Sequence, residues 1–257
     1  MTWLQQHPAG QLPVAGALTV DKPRQTRGVR SAGHDEIVEI LGSEILSGSR
    51  APGSRMPTAD ELQERFGASR VLMREVTKTL VAKGMVTAKS RVGTHVLASE
   101  YWNWFDPDVL SWRVGLGLDN ELFVHLGQLR RAVEPAAAAA AADHRTDDDV
   151  AAMRRALTGM ASATDRRAFS AGDLQFHIAV AAASGNPLFR SFTSVVETAL
   201  GAYLSVSTPM DEGVMAISVK QHTRIADAIE ARDATEASLR MQEVIDVGLE
   251  RVVEPRR

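Results

Sequence analysis

The sequence predicts a mainly α-helical chain in two parts, a winged helix-turn-helix over residues 33–98 and an all-α helical bundle over residues 120–252. Three observations carry the prediction. Three short segments of helical periodicity, each with its own start and stop residues, lead into two β-prone runs around a polar turn at residues 85–97. From about residue 120 the apolar spacing is helical almost without a break. The charge divides with the pattern: residues 1–98 hold 13 Lys and Arg against 9 Asp and Glu, a net +4, and residues 99–257 hold 16 against 23, a net −7. A basic front on an acidic back implies that the first part meets a polyanion and the second does not.

Residues 1–32 mix Pro, Gly, Gln and Arg with no steady period and read as a flexible arm, whose Arg24, Arg27 and Arg30 are free to touch DNA or nothing. Ile37, Ile40, Leu41 and Ile45 then fall at helical spacing, with Gly48 where the helix would stop. APGSRMP is a turn by its Pro and Gly content. Thr58 and Glu61 form a capping box for a short helix carrying Leu62 and Phe66 and closed by Gly67. Ser69 caps a third helix whose apolar stripe is Leu72, Val76 and Leu80, ending at Gly84. MVTA and THVL, joined by KSRVG, are a hairpin. Residues 99–119 read as a linker.

In the second part Leu122, Leu126, Leu129 and Val133 make a stripe followed by PAAAAAAAD, a tract of the strongest helix former. Pro135 should kink that helix or mark a join. Thr146 with Asp149 caps a helix bearing Val150, Met153, Leu157 and Met160. Further helices are expected over Phe169–Ser184, Leu188–Leu204 and Val219–Glu230, and Asp233 with Glu236 caps a last one holding Met241 and Val244. No strand candidate occurs here, so the second part is a helical bundle.

The composition excludes several classes. The 257 residues are 44% apolar and 24% charged, neither disordered nor fibrous. Without cysteine there is no disulfide framework, thiolate zinc site, iron–sulfur ligation or cysteine nucleophile. No apolar run approaches the ~20 residues that span a bilayer, and the first residues lack the features of a secretory signal. A soluble, cytoplasmic chain with no membrane partner is expected. Glycine-rich phosphate loops, a G-x-S-x-G elbow and H-E-x-x-H are all missing, and no constellation points to catalysis.

Three constellations could carry function. Ser69, Arg70, Arg74, Thr77 and Lys78 put cations and small donors on one side of the third helix, opposite its apolar stripe. A helix reading a duplex groove needs this, since Arg clamps phosphate or takes both acceptors of a guanine edge; an ordinary solvated basic face has the same composition. Arg91 and His95 sit on the hairpin, where a wing reaches the minor groove or backbone. The second constellation is Asp173 and His177, four apart on one helix, with His222 on another. They are within reach of one ion, or else form a hydrogen-bonded helix pair. The third is Arg130, inside the stripe Leu126–Leu129–Val133, where a buried guanidinium needs an anion. Glu134, Asp173 or a ligand carboxylate are the candidates.

The segment PGSRMPTADELQERFGASRVLMREVTKTLVAKGMV, followed by RVGTHV, resembles the DNA-binding signature of the GntR superfamily of bacterial transcription regulators. LRRAVEP, DLQFHIAVAAASGNPL and QHTRIADAIEARDATEASLRM resemble the FCD ligand-binding domain of its FadR-like branch, and together the matches span about residues 34–250. The linker YWNWFDPDVLSW, with its paired Trp and Asp residues, is similar to that of members answering to a sugar acid. The resemblance implies that Arg70 and Arg74 contact operator DNA, that Gly93 is the wing-tip glycine, and that Arg130 projects into an effector cavity. It further implies that Asp173, His177 and His222 are three ligands of a divalent metal, zinc first. Two positions depart from the pattern: Asp60 stands where an Arg is usual, and Val244 stands where the fourth ligand, a histidine, is usual. The site is then a three-ligand one completed by water or effector, or an empty one whose residues hydrogen-bond the ligand.

The resulting expectation is a homodimeric regulator, a repressor, that binds double-stranded operator DNA and answers to a small carboxylate, a sugar acid such as galactonate. Arg130, Asp173, His177 and His222 would hold that effector. Two other readings stand beside it: a metal-dependent enzyme on a helical bundle with an accessory DNA-binding domain, and a protein-interaction module with no small-molecule pocket.

Overall fold

The computed structural model describes residues 32–117, 120–193, 195–198, 201 and 212–253. The arm expected over residues 1–32, with Arg24, Arg27 and Arg30, lies outside the described residues apart from Ala32.

Each start signal in the first part acts as its chemistry requires. Helix α1 (His34–Leu46) buries Ile37, Leu41 and Ile45. Helix α2 (Ala59–Phe66) opens on a complete capping box: Glu61 N–H donates to Thr58 Oγ1 at 3.3 Å, and Thr58 N–H donates to Glu61 Oε2 at 2.6 Å. Helix α3 (Arg70–Ala82) starts with Leu72 N–H donating to Ser69 Oγ at 3.2 Å. Its buried stripe is Met73, Val76 and Leu80, whereas Leu72, expected in the stripe, is only half-buried. Residues 73, 76 and 80 are spaced by three and four and fall on one line, which leaves 72 at its flank.

Strands β1 (Val86–Lys89) and β2 (Gly93–Val96) pair antiparallel, from Val86 opposite Val96 to Lys89 opposite Gly93. The turn between them carries Arg91 at φ 65°, the left-handed region. The segment before α2 is tied to this hairpin: Met56 N–H donates to the Thr94 carbonyl at 2.8 Å, and Arg55 forms a single bridge with His95. Gly84 ends the α3 region at φ 72°, where a Cβ would lie 2.1 Å from the Tyr101 carbonyl oxygen.

The stretch expected as a linker carries secondary structure over its described residues, 99–117. A 3-10 turn at Ser99–Tyr101 precedes helix α4 (Pro107–Gly115). Nine residues are too few to establish an apolar period, and the local signals are Asp106 as cap and Pro107 in the first turn. Asp106 Oδ1 accepts from the N–H groups of Asp108 and Val109 at 3.0 and 3.2 Å. Val109 and Trp112 belong to the core made by α1, α3 and the hairpin. The Trp112 ring lies over Gly42 of α1 so closely that a Cβ there would be 2.4 Å from it. Leu110 instead packs with Leu126 and Val195.

Beyond these, the described residues form α5 (Asn120–His144), α6 (Asp147–Ala161), α7 (Arg166–Ala183), α8 (Pro187–Ser191), α9 (Glu212–Glu230) and α10 (Ala234–Val253). Helix α5 runs unbroken through Pro135, so that residue marks no join. The expected helix over Leu188–Leu204 is present as α8, which stops at Ser191, and as further helical residues at Thr193, 195–198 and Gly201; Leu204 lies outside the described residues. Helix α9 starts at Glu212, earlier than the expected Val219. The alanine tract has a packing role as well: Ala138, Ala141 and Ala142 are fully buried against Phe176, Ile225 and Met241. Their small side chains let the helix backbones approach closely while preserving helix propensity.

Candidate functional site

Two places bring the singled-out residues together. The first is the outer side of α3. Arg70 and Arg74 are exposed. Arg70 leans back onto α2, with Nη2 at 2.6 Å and Nε at 3.1 Å from Asp60 Oδ1, and Nε at 3.3 Å from Gln63 Oε1. The Thr77 hydroxyl donates to the Met73 carbonyl at 2.9 Å, so its proton is engaged within its own helix. Lys78 Nζ pairs with Glu75 Oε1 at 2.8 Å. Across from α3, a groove of about 440 Å³ is bounded by Arg74, Thr77 and Lys78 on one side and by Arg55, Thr58 and Gly93 on the other. Gly93 sits at φ 100°, where an L side chain is strained, and a Cβ there would lie 3.2 Å from Arg55 Nε. Arg91 is exposed in the hairpin turn, and His95 is half-buried opposite Arg55. Sequence reading missed Arg55, which no periodicity marks; its place beside the hairpin is set by the bridge to His95.

The second place is inside the bundle. Arg130 and Glu134, one turn apart on α5, are joined by Nε to Oε1 at 2.5 Å. The other Glu134 oxygen, Oε2, closes on His177 Nδ1 of α7. Arg130 Nη2 lies 3.3 Å from His177 Nε2. His177 Nδ1 and Glu134 Oε2 touch without a hydrogen bond of acceptable geometry, and the Arg130 contact requires Nε2 to be the accepting nitrogen. Asp173, four residues before His177, places Oδ1 at 2.8 Å from His222 Nε2 of α9 and 3.9 Å from His177 Nε2. His222 Nδ1 is engaged with the Ser218 carbonyl at 2.8 Å.

Glu134, Asp173, His177 and His222 are all buried, and the Arg130 side chain nearly so. Burial pushes the Glu134 carboxyl up, but Arg130 and His177 outweigh it and hold the group down at about 2. Asp173 is likewise at about 2, with burial opposed by His222, His177 and Arg130. Burial lowers the Arg130 pKa, yet Glu134 and Asp173 leave it raised. Both carboxylates are therefore ionised at neutral pH and face a permanent cation.

The donor set fits a divalent ion. One ligand atom from each of Asp173, His177 and His222 lies within 4.8 Å of the others. His222 Nε2 is buried and, although close to Asp173, makes no hydrogen bond of acceptable geometry, so its lone pair has no directed partner. Each imidazole has its Nδ1 against a protein oxygen, the usual arrangement behind a ligating histidine, and His177 Nε2 would exchange its Arg130 contact for the ion. Val244 lies half-buried against the bundle core and offers no fourth ligand. Two imidazoles and a carboxylate suit zinc with a remaining position open. A narrow cleft of about 10 Å³, room for little more than one water, is walled largely by apolar side chains such as Val133, Phe189, Phe192 and Met241 and reaches the cluster at Glu134 and His177. The sequence named Glu134 only as a partner for Arg130; its hold on His177 depends on how α5 and α7 pack.

Residues 34–96 match the model for bacterial regulatory proteins of the gntR family, and residues 125–247 match the FCD domain. The galactonate operon transcriptional repressor of Escherichia coli (strain K12) is 35% identical over 80% of this chain and 92% of its own length. The uncharacterized HTH-type transcriptional regulator YieP of the same strain is 31% identical over 78% of this chain and 87% of its own. A solved structure of Lar, which controls the expression of the Listeria monocytogenes agr system, gives a TM-score of 0.55 at 16% identity over 90% of this chain and 100% of that one, a likeness of fold alone.

Proposed function

The chain belongs to the gntR family of bacterial transcriptional regulators and carries an FCD domain, and on that premise we propose that it is a dimeric repressor released from its operator by a sugar acid such as galactonate. The observation that carries the effector part is the buried cluster of Arg130, Glu134, Asp173, His177 and His222. A core built only for dimerisation gains little by burying so many charged groups, since apolar side chains of equal volume serve as well or better. The repressor named for the galactonate operon directs the choice of acid. Every matched family and named relative is a regulator, which leaves the metal-dependent enzyme reading without support.

On the DNA side, α3 lies in the major groove. Ser69 fixes the start of α3, Arg70 and Arg74 reach bases and phosphates, and Thr77 and Lys78 contribute along the same side. Arg91, Gly93 and His95 bring the hairpin to the adjacent backbone. Two heads in a homodimer meet two half-sites, and the protein acts where the DNA is, in the cytoplasm. Among the described residues no helix is long and apolar enough to cross a membrane.

In the bundle, Asp173, His177 and His222 hold a divalent ion, zinc first, which when bound supplies a positive centre for the effector's oxygens. With the imidazoles neutral, as ligation requires, Arg130, Glu134 and Asp173 sum to a net −1. A dication turns that to +1, which one carboxylate neutralises. Arg130 clamps the carboxylate and the cluster takes the hydroxyls. Release follows only if the effector binds the DNA-incompetent arrangement better than the competent one. A mobility-shift titration on the chain's own upstream DNA tests this: galactonate should weaken binding, and an operator affinity indifferent to galactonate and every related aldonate overturns the effector assignment.

A further inference from the structure

We propose that Asp60 sets the sequence preference of the duplex-reading face by holding Arg70 off the phosphates and presenting it to a base edge. The inference deepens the proposed DNA-binding reading and rests on it. Asp60 is an acidic side chain standing on the face assigned to a polyanion, where charge alone would disfavour it. It sits in the first turn of α2, where a carboxylate suits the helix dipole. Helix stability does not, however, require it to reach the guanidinium of the next helix.

The geometry shows what the contact does. Arg70 has five N–H donors in a fixed fork. The Nε edge and one Nη2 proton are taken by Asp60 and Gln63. The Nη1 donors and the second Nη2 proton remain, at the end facing away from α2. That end matches the O6 and N7 acceptors of guanine in the major groove. The Asp60 charge also repels any phosphate approaching the guanidinium from the α2 side. Arg70 is thus pre-oriented for a base contact and poorly suited to a backbone contact, and less rotamer freedom is lost when it binds. Both side chains are 70% exposed, so the pair contributes little to folding and its placement matters mainly toward a partner.

The test uses the full-length protein and a random duplex library. Selection with the wild type defines its preferred site; wild type, Asp60→Asn and Arg70→Ala are then titrated on that site and on a scrambled duplex across a salt series. Asp60→Asn should lower the ratio of selected to scrambled affinity by about tenfold, within the range of one bidentate base contact. Its affinity for the scrambled duplex should rise by up to about threefold, with a log–log salt slope steeper by about one phosphate per head. Reselection with Asp60→Asn and with Arg70→Ala should lose the preference for guanine at the same position. If Asp60→Asn selects the wild-type sequence with an unchanged ratio and salt slope, the inference is overturned while the DNA-binding reading stands. A wild type that selects no sequence, or an Arg70→Ala variant that keeps full discrimination, overturns that reading and this inference with it.

Discussion

Lys83, just past the last turn of α3, places its ammonium 2.6 Å from Asp106 Oδ1, the oxygen that caps α4. Asp108 adds a second contact at 2.7 Å, and the ammonium lies 5.3 Å from the centre of the Trp112 ring. One buried lysine therefore ties the end of α3 to the start of α4, the helix leading to the bundle. Lys83→Met keeps most of the volume and removes the charge. We expect it to lower stability by about 1–3 kcal/mol, because Asp106 is left largely buried without its cation while Asp108 returns to water. Thermal unfolding reads the change. Burial works to lower the Lys83 pKa, but the hydrogen bonds it donates to both carboxylates raise it above its ordinary 10.5. Its contribution is then complete below pH 10.5 and fades only as the pH rises through the higher folded value, so wild type and variant should differ by a constant amount across neutral pH.

An acid-side prediction comes from Glu44. Its carboxylate accepts from Arg50 Nε at 2.6 Å and pairs with Arg65. Burial pushes its pKa up, yet the two arginines bring it below its ordinary 4.5. A depressed carboxylate stabilises the fold above 4.5, and that contribution is lost as the pH falls through the lower folded value. Glu44→Gln should cost about 1 kcal/mol at pH 7. The difference from wild type should shrink in denaturant titrations carried below pH 4; a gap that widens on acidification contradicts the assignment.

The Trp112–Gly42 contact predicts the effect of a single methyl. Gly42→Ala puts a carbon inside the Trp112 ring envelope. Helix propensity favours Ala by about 1 kcal/mol, so a net loss of about 1–3 kcal/mol in chemical denaturation reports the overpacking directly. A neutral or stabilising result means that α1 and α4 are farther apart in solution.

Metal removal tests the buried cluster. Protein saturated with zinc and freed of excess should hold one ion per chain, and His222→Ala should hold none. With zinc at 100 times its dissociation constant, the stabilisation is about 2.7 kcal/mol. That corresponds to about 5–10 °C in midpoint for a chain of this size, and a chelator reverses it. Equal zinc content in wild type and His222→Ala removes His222 from the ligand set.

How much of this was legible in the sequence depended on distance along the chain. Thr58 with Glu61, Ser69, Thr146 with Asp149, and Asp233 are capping residues whose partners lie three positions away, and all four helix starts were readable. The Asp173–His177 spacing was readable for the same reason. Contacts that depend on how helices pack were not. Nothing local joins Asp60 to Arg70, Glu134 to His177, or Lys83 to Asp106. Met73 was passed over because an unbranched thioether fills either core or surface, whereas the neighbouring leucine looks like the better core residue. Helix α4 was missed because its apolar residues divide between two cores and so show no stripe.

That division has a mechanical meaning. Val109 and Leu110 are consecutive, yet one is locked among α1 and the hairpin and the other against Leu126 and Val195. Rolling this short rod about its long axis unseats one of the two side chains, so low-energy displacement is confined to sliding or tipping it as a rigid lever. Because Asp106 and Asp108 ride on its leading end, every such stroke pulls on the ammonium at the tail of α3.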